Sequence, residues 1–335
     1  MTLLPGRHIV LGVSGGIAAY KSCHLVRRLR EAGAKVDVVL TRGARKFVRP
    51  VTFEALSGRP VRTSLWHPGE ALDHVVLARE ADLVIVAPAS AHLIARAALG
   101  LADDVLTALL LARTGPVLLA PAMNDAMYAS PATQQNLQRL ADRGWRQVGP
   151  ATGPLAEGES ELPGRMSEPE AILAHAVRLV RSGGPLMGRR VLVTAGPTRE
   201  CIDPVRTLTN RSSGRMGYRL AAAAWYRGAE VVLVSGPSGE PQPEGVRVRM
   251  VESTREMESC VAEELPAVDL LVMAAAPADF APVSPADRKL ERQAGELTLA
   301  LGPTGDILSG TRHLRKPGMV AVGFALETGD AMARA

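Results

Sequence analysis

The chain has 335 residues, 47% of them hydrophobic and only 3% aromatic, and carries a net charge of +5. That length supports two ordinary domains with full cores, while no uncharged apolar run is long enough to cross a bilayer. The basic residues are unclustered and lack the aromatic platforms on which nucleic-acid bases stack, so small anionic substrates are expected rather than nucleic acid or membrane.

Residues 1–7 lead straight into a strand pattern and show no signal-peptide pattern, so a cytoplasmic location is expected. The first strand pattern, 8–13, runs into Gly12-Val13-Ser14-Gly15-Gly16-Ile17. A helix pattern follows over 17–31, with Ala18, Leu25, Val26 and Leu29 on one face and Gly33 just past its end. Strand patterns at 35–40, 83–87 and 117–120 are short and rich in Val, Leu and Ile, as buried parallel strands are. A helix pattern at 168–181 closes this half, and Ser182-Gly183-Gly184-Pro185 reads as a linker.

A second alternating series begins there. Strand patterns lie at 190–194, 230–235, 246–251, 270–274 and 319–325, with helix patterns at 218–227 and 254–265. The alternation predicts an α/β protein of two doubly wound, Rossmann-like domains, 1–182 and 189–335, joined by a linker at 183–188. A helix pattern begins near Gly329 and the chain stops just inside it. A parallel-sheet domain would be expected to continue, so the second domain reads as cut short at its C-terminus.

The chemistry-bearing residues cluster at predicted strand ends. A glycine turn between strand and helix gathers backbone N–H groups and a positive dipole end, so Ser14, Gly15 and Gly16 form a phosphate-site candidate. The loop is not GxGxxG, and Leu40-Thr41-Arg42 offers no acidic ribose contact, which disfavours a nicotinamide dinucleotide. The segments 88–92 and 121–128 follow two further strands and should converge on the same crevice. A glycine-bounded segment, 153–166, suits a lid. On the residues alone, His74 precedes an apolar, strand-like run and suits a structural histidine. Asn124 suits a helix cap, and Lys289 an exposed loop lysine beside Arg288, Glu291 and Arg292. Only five of the 39 basic residues are lysine: Lys21, Lys35, Lys46, Lys289 and Lys316. The three cysteines, Cys23, Cys201 and Cys260, form no CxxC, so neither a disulfide framework nor a zinc site is suggested.

Residues 12–22, Pro88-Ala89-Ser90-Ala91-His92, Gly100-Leu101-Ala102-Asp103-Asp104 and Pro121-Ala122-Met123-Asn124 resemble the flavin mononucleotide (FMN)-dependent phosphopantothenoylcysteine decarboxylases. Residues 190–328, above all Thr194–Gly217, resemble phosphopantothenate–cysteine ligases. Together they resemble the bacterial bifunctional enzymes of coenzyme A biosynthesis. The resemblance implies FMN contacts from Gly15, Gly16, Ile17, Thr41, Ser90, Ala91, His92 and Ala122. It gives His74 the role of catalytic base and Asn124 that of binding the substrate carboxylate. The implied reaction oxidises the cysteinyl thiol to a thioaldehyde, loses carbon dioxide, and reduces and protonates the resulting enethiolate to phosphopantetheine. Many family members return that proton from a lid cysteine. Here the corresponding stretch is Ala156-Glu157-Gly158, so Glu157, or Glu159, is expected to donate it from a raised pKa.

For the second half the resemblance implies a cytidine triphosphate (CTP) site of Met273, Ala274, Ala275, Asp279, Lys289, Gly305, Asp306, Ile307, Leu308 and Phe324. Asp279 would hold Mg2+ with the nucleotide, Lys289 would neutralise phosphate charge, and Asn210 would stabilise an acyl-cytidylate of 4'-phosphopantothenate, which the amine of cysteine attacks. Fewer lysines surround Lys289 than the family often shows. The family's flavin site is built across a trimer interface, so a homo-oligomer, trimer-based and dodecameric, is expected. The competing readings are a flavin-holding scaffold without catalysis and another flavin enzyme of the same fold, such as a prenyltransferase.

Overall fold

The structure is a computed structural model that describes residues 2–66, 72–154, 158, 160–291 and 297–325. It divides into two compact units, Met1–Val180 and Arg181–Ala335.

The first unit carries strands β1 (His8–Val13), β2 (Lys35–Leu40), β3 (Val61–Arg62), β4 (Leu83–Ala89), β5 (Val117–Pro121) and β6 (Arg146–Gln147). Its helices are α1 (Ala19–Glu31), α2 (Pro50–Ser57), α3 (Asp73–Glu80), α4 (Ala91–Leu99), α5 (Val105–Ala112), α6 (Asp125–Ala129), α7 (Pro131–Asp142) and α8 (Pro169–Val180). All strands pair in parallel in the order β3-β2-β1-β4-β5-β6. Every residue of β4 and β5 is buried, because helices cover both faces of a parallel sheet, and the sequence accordingly runs apolar without alternation. Val10, Val84 and Val86 pack with Leu93, Ile94, Leu106 and Leu109 from α4 and α5. Each such side chain contributes about 1.5–3 kcal/mol by leaving water.

Two expectations are corrected here. The first helix begins at Ala19 rather than residue 17: the Ala19 N–H donates to the Gly16 carbonyl, so Gly16–Ala18 form an opening turn. His74 does not precede a strand. It lies in the first turn of α3, with Leu77 and Ala78 on the buried side and Val76 exposed. An apolar run of four residues has no readable period, and packing of α3 against α5 decides the outcome.

The second unit repeats the plan. Its strands are β7 (Arg190–Ala195), β8 (Arg199–Cys201), β9 (Thr207–Thr209), β10 (Glu230–Ser235), β11 (Arg247–Met250), β12 (Leu270–Met273), β13 (Phe280–Pro282), β14 (Leu301–Pro303) and β15 (Val320–Gly323). The helices are α9 (Arg215–Tyr226), α10 (Thr254–Glu264) and α11 (Ile307–Gly310). The parallel sheet has the order β11-β10-β7-β12-β15, matching the first five positions of the other sheet. Helix α9 lies close on β7 because Gly217 has no side chain. A Cβ there would stand 2.5 Å from that of Ala195 and 2.8 Å from the Thr194 carbonyl oxygen. Two antiparallel hairpins, β8–β9 and β13–β14, stand outside the sheet. The helix pattern near Gly329 lies outside the described residues.

Candidate functional sites

In the first unit the loops after β1, β2, β4 and β5 interlock at the C-terminal edge of the sheet, where doubly wound folds place their ligands. The buried Ser14 hydroxyl donates to the Pro88 carbonyl at 2.8 Å and accepts the Ser90 N–H at 2.9 Å. Thr41 donates its N–H to the Val13 carbonyl at 3.1 Å, and its hydroxyl accepts the Ala44 N–H at 3.2 Å. Ala122 donates to the Ala89 carbonyl at 3.1 Å. Gly15 lets the first two loops touch, since a Cβ there would meet the backbone of Gly43 at 3.0 Å.

These loops wall a cleft of about 1,430 Å³. Gly15, Gly16, Ile17, Thr41, Ser90, Ala91, His92 and Ala122 all line it, and so does Asn124. Helices α1 and α4 present their N-termini to it, and the Ser90 hydroxyl caps α4 by accepting the Leu93 N–H. Among the described residues, nothing accepts the N–H groups of Gly15, Gly16 or Ile17. Unpaired donors at the positive end of a 13-residue helix fit a phosphate. Asn124 caps α6, its Oδ1 accepting the N–H groups of Ala126 at 2.9 Å and Met127 at 3.2 Å.

His74 does not line this cleft. Its Nδ1 is shielded from solvent and has no hydrogen-bond partner among the described residues. Glu157 and Glu159 lie outside the described residues. The near end of the lid segment is docked: Met123 donates to the Gly164 carbonyl at 3.0 Å, and the Ser160 hydroxyl donates to Asp125 at 2.5 Å.

Several lining residues had no role assigned from the sequence. Arg96 donates to Asp104 at 2.8 Å, to the Thr107 hydroxyl at 3.2 Å and to Asp103, so it braces the loop between α4 and α5 against the cleft. Lys21, buried on α1, bonds Glu168 at 2.9 Å. Burial alone would raise the Glu168 carboxyl, but the Lys21 hydrogen bond and the nearby Lys21 and Arg165 charges hold it below the usual carboxylate range. The Gly100–Asp104 stretch was the available signal for Arg96. A contact such as Lys21–Glu168, spanning 147 residues, leaves none.

In the second unit the loops after β7 and β12 meet where the strand order reverses. Ala276 donates to the Gly196 carbonyl at 2.9 Å. Met273, Ala274 and Ala275 lie at this end of β12, and Phe324, just after β15, donates to the Met273 carbonyl at 3.1 Å. Thr198, Glu200 and Thr254 form a buried network below the loop. The Thr198 hydroxyl accepts the Ala278 N–H at 2.8 Å and lies 2.8 Å from the Thr254 hydroxyl, which Glu200 accepts at 2.8 Å. Asp279 follows, exposed, with its carbonyl accepting the Thr304 N–H at 2.9 Å, which brings Gly305 alongside.

Asp306 caps α11, taking hydrogen bonds from the Ser309 hydroxyl and N–H that hold its carboxyl below the usual range. The Ile307 side chain is 4% exposed and packs in the core, so only its backbone can face a nucleotide; Leu308 packs against the same cluster. Asn210 donates its amide hydrogens to the carbonyls of Ala276 at 3.3 Å and Pro277 at 2.8 Å, which leaves Oδ1 as its accepting end. Lys289 is exposed. Among the described residues, no group of three or more His, Cys, Asp or Glu side chains could hold a metal ion. A single carboxylate such as Asp279 fits Mg2+ carried in on a triphosphate, because Mg2+ keeps most of its waters and phosphate ligands. A separate cleft of about 650 Å³, between Arg199, Ser238 and Glu256, contains none of the expected nucleotide residues.

A phosphate-type cleft on one doubly wound unit and a second such unit with a strand-end loop network define a two-part α/β protein with a candidate ligand site on each part. Residues 2–181 match the flavoprotein family, and residues 186–335 match the DNA/pantothenate metabolism flavoprotein C-terminal domain. The chain is 48% identical over 334 residues to the coenzyme A biosynthesis bifunctional protein CoaBC of Vibrio cholerae, covering 98% of this chain and 83% of that one. It is 47% identical to the protein of that name from Mycobacterium tuberculosis, over 97% of this chain and 80% of that one. With the Escherichia coli protein of the same name the identity is 45%, over 98% and 82%. The chain belongs to the CoaBC family of bifunctional coenzyme A biosynthesis proteins.

Proposed function

We propose that the chain performs two consecutive steps of coenzyme A biosynthesis. The second unit joins 4'-phosphopantothenate to cysteine at the expense of CTP, through an acyl-cytidylate. The first unit then decarboxylates the resulting 4'-phosphopantothenoylcysteine to 4'-phosphopantetheine with FMN. The observation that carries this reading is the convergence of the eight expected flavin residues and Asn124 on one cleft.

Bound FMN would supply the two-electron oxidation that turns the substrate carboxylate into a leaving group, and the electrons returned afterwards. The N–H groups of Gly15, Gly16 and Ile17 would hold its phosphate. Asn124 orients the carboxylate as a neutral amide, without an ion pair that would resist its departure. Glu157 returns the proton, in the place where many relatives use cysteine. His74, absent from the cleft of its own chain, acts on that of a neighbouring copy. The trimer-based, dodecameric assembly that the family resemblance implies would supply that neighbouring copy. In the second unit Asp279 meets the Mg2+ of the nucleotide, and Lys289 neutralises phosphate charge as pyrophosphate leaves.

The test is full-length protein given FMN, Mg2+, CTP, 4'-phosphopantothenate and cysteine. Pyrophosphate, CMP, carbon dioxide and phosphopantetheine in equal amounts are expected. Flavin binding with no carbon dioxide from added 4'-phosphopantothenoylcysteine would favour a scaffold. Failure to release pyrophosphate would remove the ligase assignment. Glu157→Gln should still release carbon dioxide but make little phosphopantetheine; full turnover would exclude Glu157 as the donor.

A further inference from the structure

The turn between β8 and β9 holds a carboxylate with no solvent exposure, that of Asp203. Its Oδ1 accepts the N–H groups of Val205 at 2.8 Å and Arg206 at 2.7 Å, which closes the turn. An asparagine or serine would do this equally well. Its Oδ2 does something a turn does not need. It accepts the Arg206 guanidinium at 3.0 Å and the Leu290 N–H at 3.1 Å. Arg206 in turn donates to the Leu290 carbonyl at 3.2 Å. Both polar groups of Leu290 are therefore gripped from the turn, and the Ala286 N–H is held by the Ile202 carbonyl at 2.9 Å.

Among the described residues between Pro282 and Leu301, no helix or strand forms. Lys289 is the residue immediately before Leu290. The same turn leads through β9 to Asn210. A carboxylate is buried at a large cost unless donors surround it, and here four hydrogen bonds do so. Burial pushes the Asp203 carboxyl up, but the N–H groups of Val205, Leu290 and Arg206 and the Arg206 charge outweigh it and keep it ionised.

We infer that Asp203 is a positioning residue for the ligase reaction: its Oδ2, with Arg206, clamps Leu290 and so fixes Lys289 and Asn210 in one frame. The inference rests on the ligase reading given above. It needs no direct contact between Asp203 and any substrate.

Asp203→Asn isolates the clamp. Asparagine keeps Oδ1 for the turn but presents an NH2 group to the Leu290 N–H, donor against donor. In the full-length protein, hydrogen exchange at the Leu290 amide should quicken at least tenfold, while amides of β7 and β10 keep their protection. Ligase kcat should fall about 100-fold with the CTP KM within about threefold, as expected when a group is misplaced rather than a nucleotide contact removed. Unchanged Leu290 exchange would overturn the inference whether or not the ligase turns over. Quickened exchange with full kcat would also overturn it, because the clamp would then not position the reaction. Wild-type protein that never consumes CTP would remove the ligase reading itself, which the exchange experiment does not depend on.

Discussion

The two units share a sheet order but secure their candidate sites differently. In the first, the strand-end loops bond directly to one another through Ser14, Thr41 and Ala122, and the pocket wall is close to the sheet itself. In the second, the loops are held by networks of buried polar side chains, Thr198, Glu200 and Thr254 at one and Asp203 at another. A wall of loops bonded directly to one another suits a cofactor that stays in place. A loop frame tied by a few hydrogen bonds suits substrates that enter and leave on every turnover, and it is more easily broken by one substitution.

The two units also use buried aspartates differently. Asp37 lies in β2, opposite Val10, in the body of the sheet rather than at the cleft. It accepts from His8 at 2.6 Å and from Arg59 at 2.8 Å. Burial raises its pKa, but these two partners hold it below the usual carboxylate range. Asp37 thus ties sheet to surface, whereas Asp203 ties a turn to the loop that carries Lys289.

The contrast can be broken at several points. Asn124→Asp keeps a good cap on α6 but sets a negative charge against the substrate carboxylate. It should lower decarboxylase kcat/KM by about 1,000-fold and leave pyrophosphate release unchanged, as separate assays of the two steps would show. Lys289→Ala should reduce ligase kcat by about 100-fold with decarboxylation intact. If each variant damaged both steps, the units would not be chemically separate.

Smaller effects concern stability. Gly217→Ala forces α9 off β7 and should destabilise the second unit by about 1–3 kcal/mol in denaturant titration. Asp37→Asn should cost the first unit about 2 kcal/mol near neutral pH. Because the folded-state pKa of Asp37 is depressed, its contribution is complete above an unfolded value of about 3.9 and is lost as pH falls through the folded value. The gap between wild type and Asp37→Asn should therefore be constant above about pH 5 and close in more acidic solution. Glu230→Ala removes an exposed pair with Arg190 and should change stability by less than about 0.5 kcal/mol.

The sheets were legible because buried parallel strands are written as unbroken Val, Leu and Ile runs. β1, β2 and β10 fall on the expected bounds, and the others differ by one or two residues at their ends, with β15 shorter still. The hairpins β8–β9 and β13–β14 were not legible, since three-residue strands carry no period and are set by turns and by their neighbours. That the first unit's candidate residues would share one cleft could be read because they sit one step beyond strands whose ends must converge. The network of Thr198, Glu200, Thr254 and Ala278 could not be read, because its members are brought together across as many as 80 residues by the fold alone. The position of His74 was not legible, because its place in α3 depends on packing.

The most direct measurement is carbon dioxide release from 4'-phosphopantothenoylcysteine by full-length protein purified with its flavin, with phosphopantetheine and the flavin spectrum followed together. The account predicts yellow protein that forms both products. Protein that takes up no FMN and releases no carbon dioxide would contradict it.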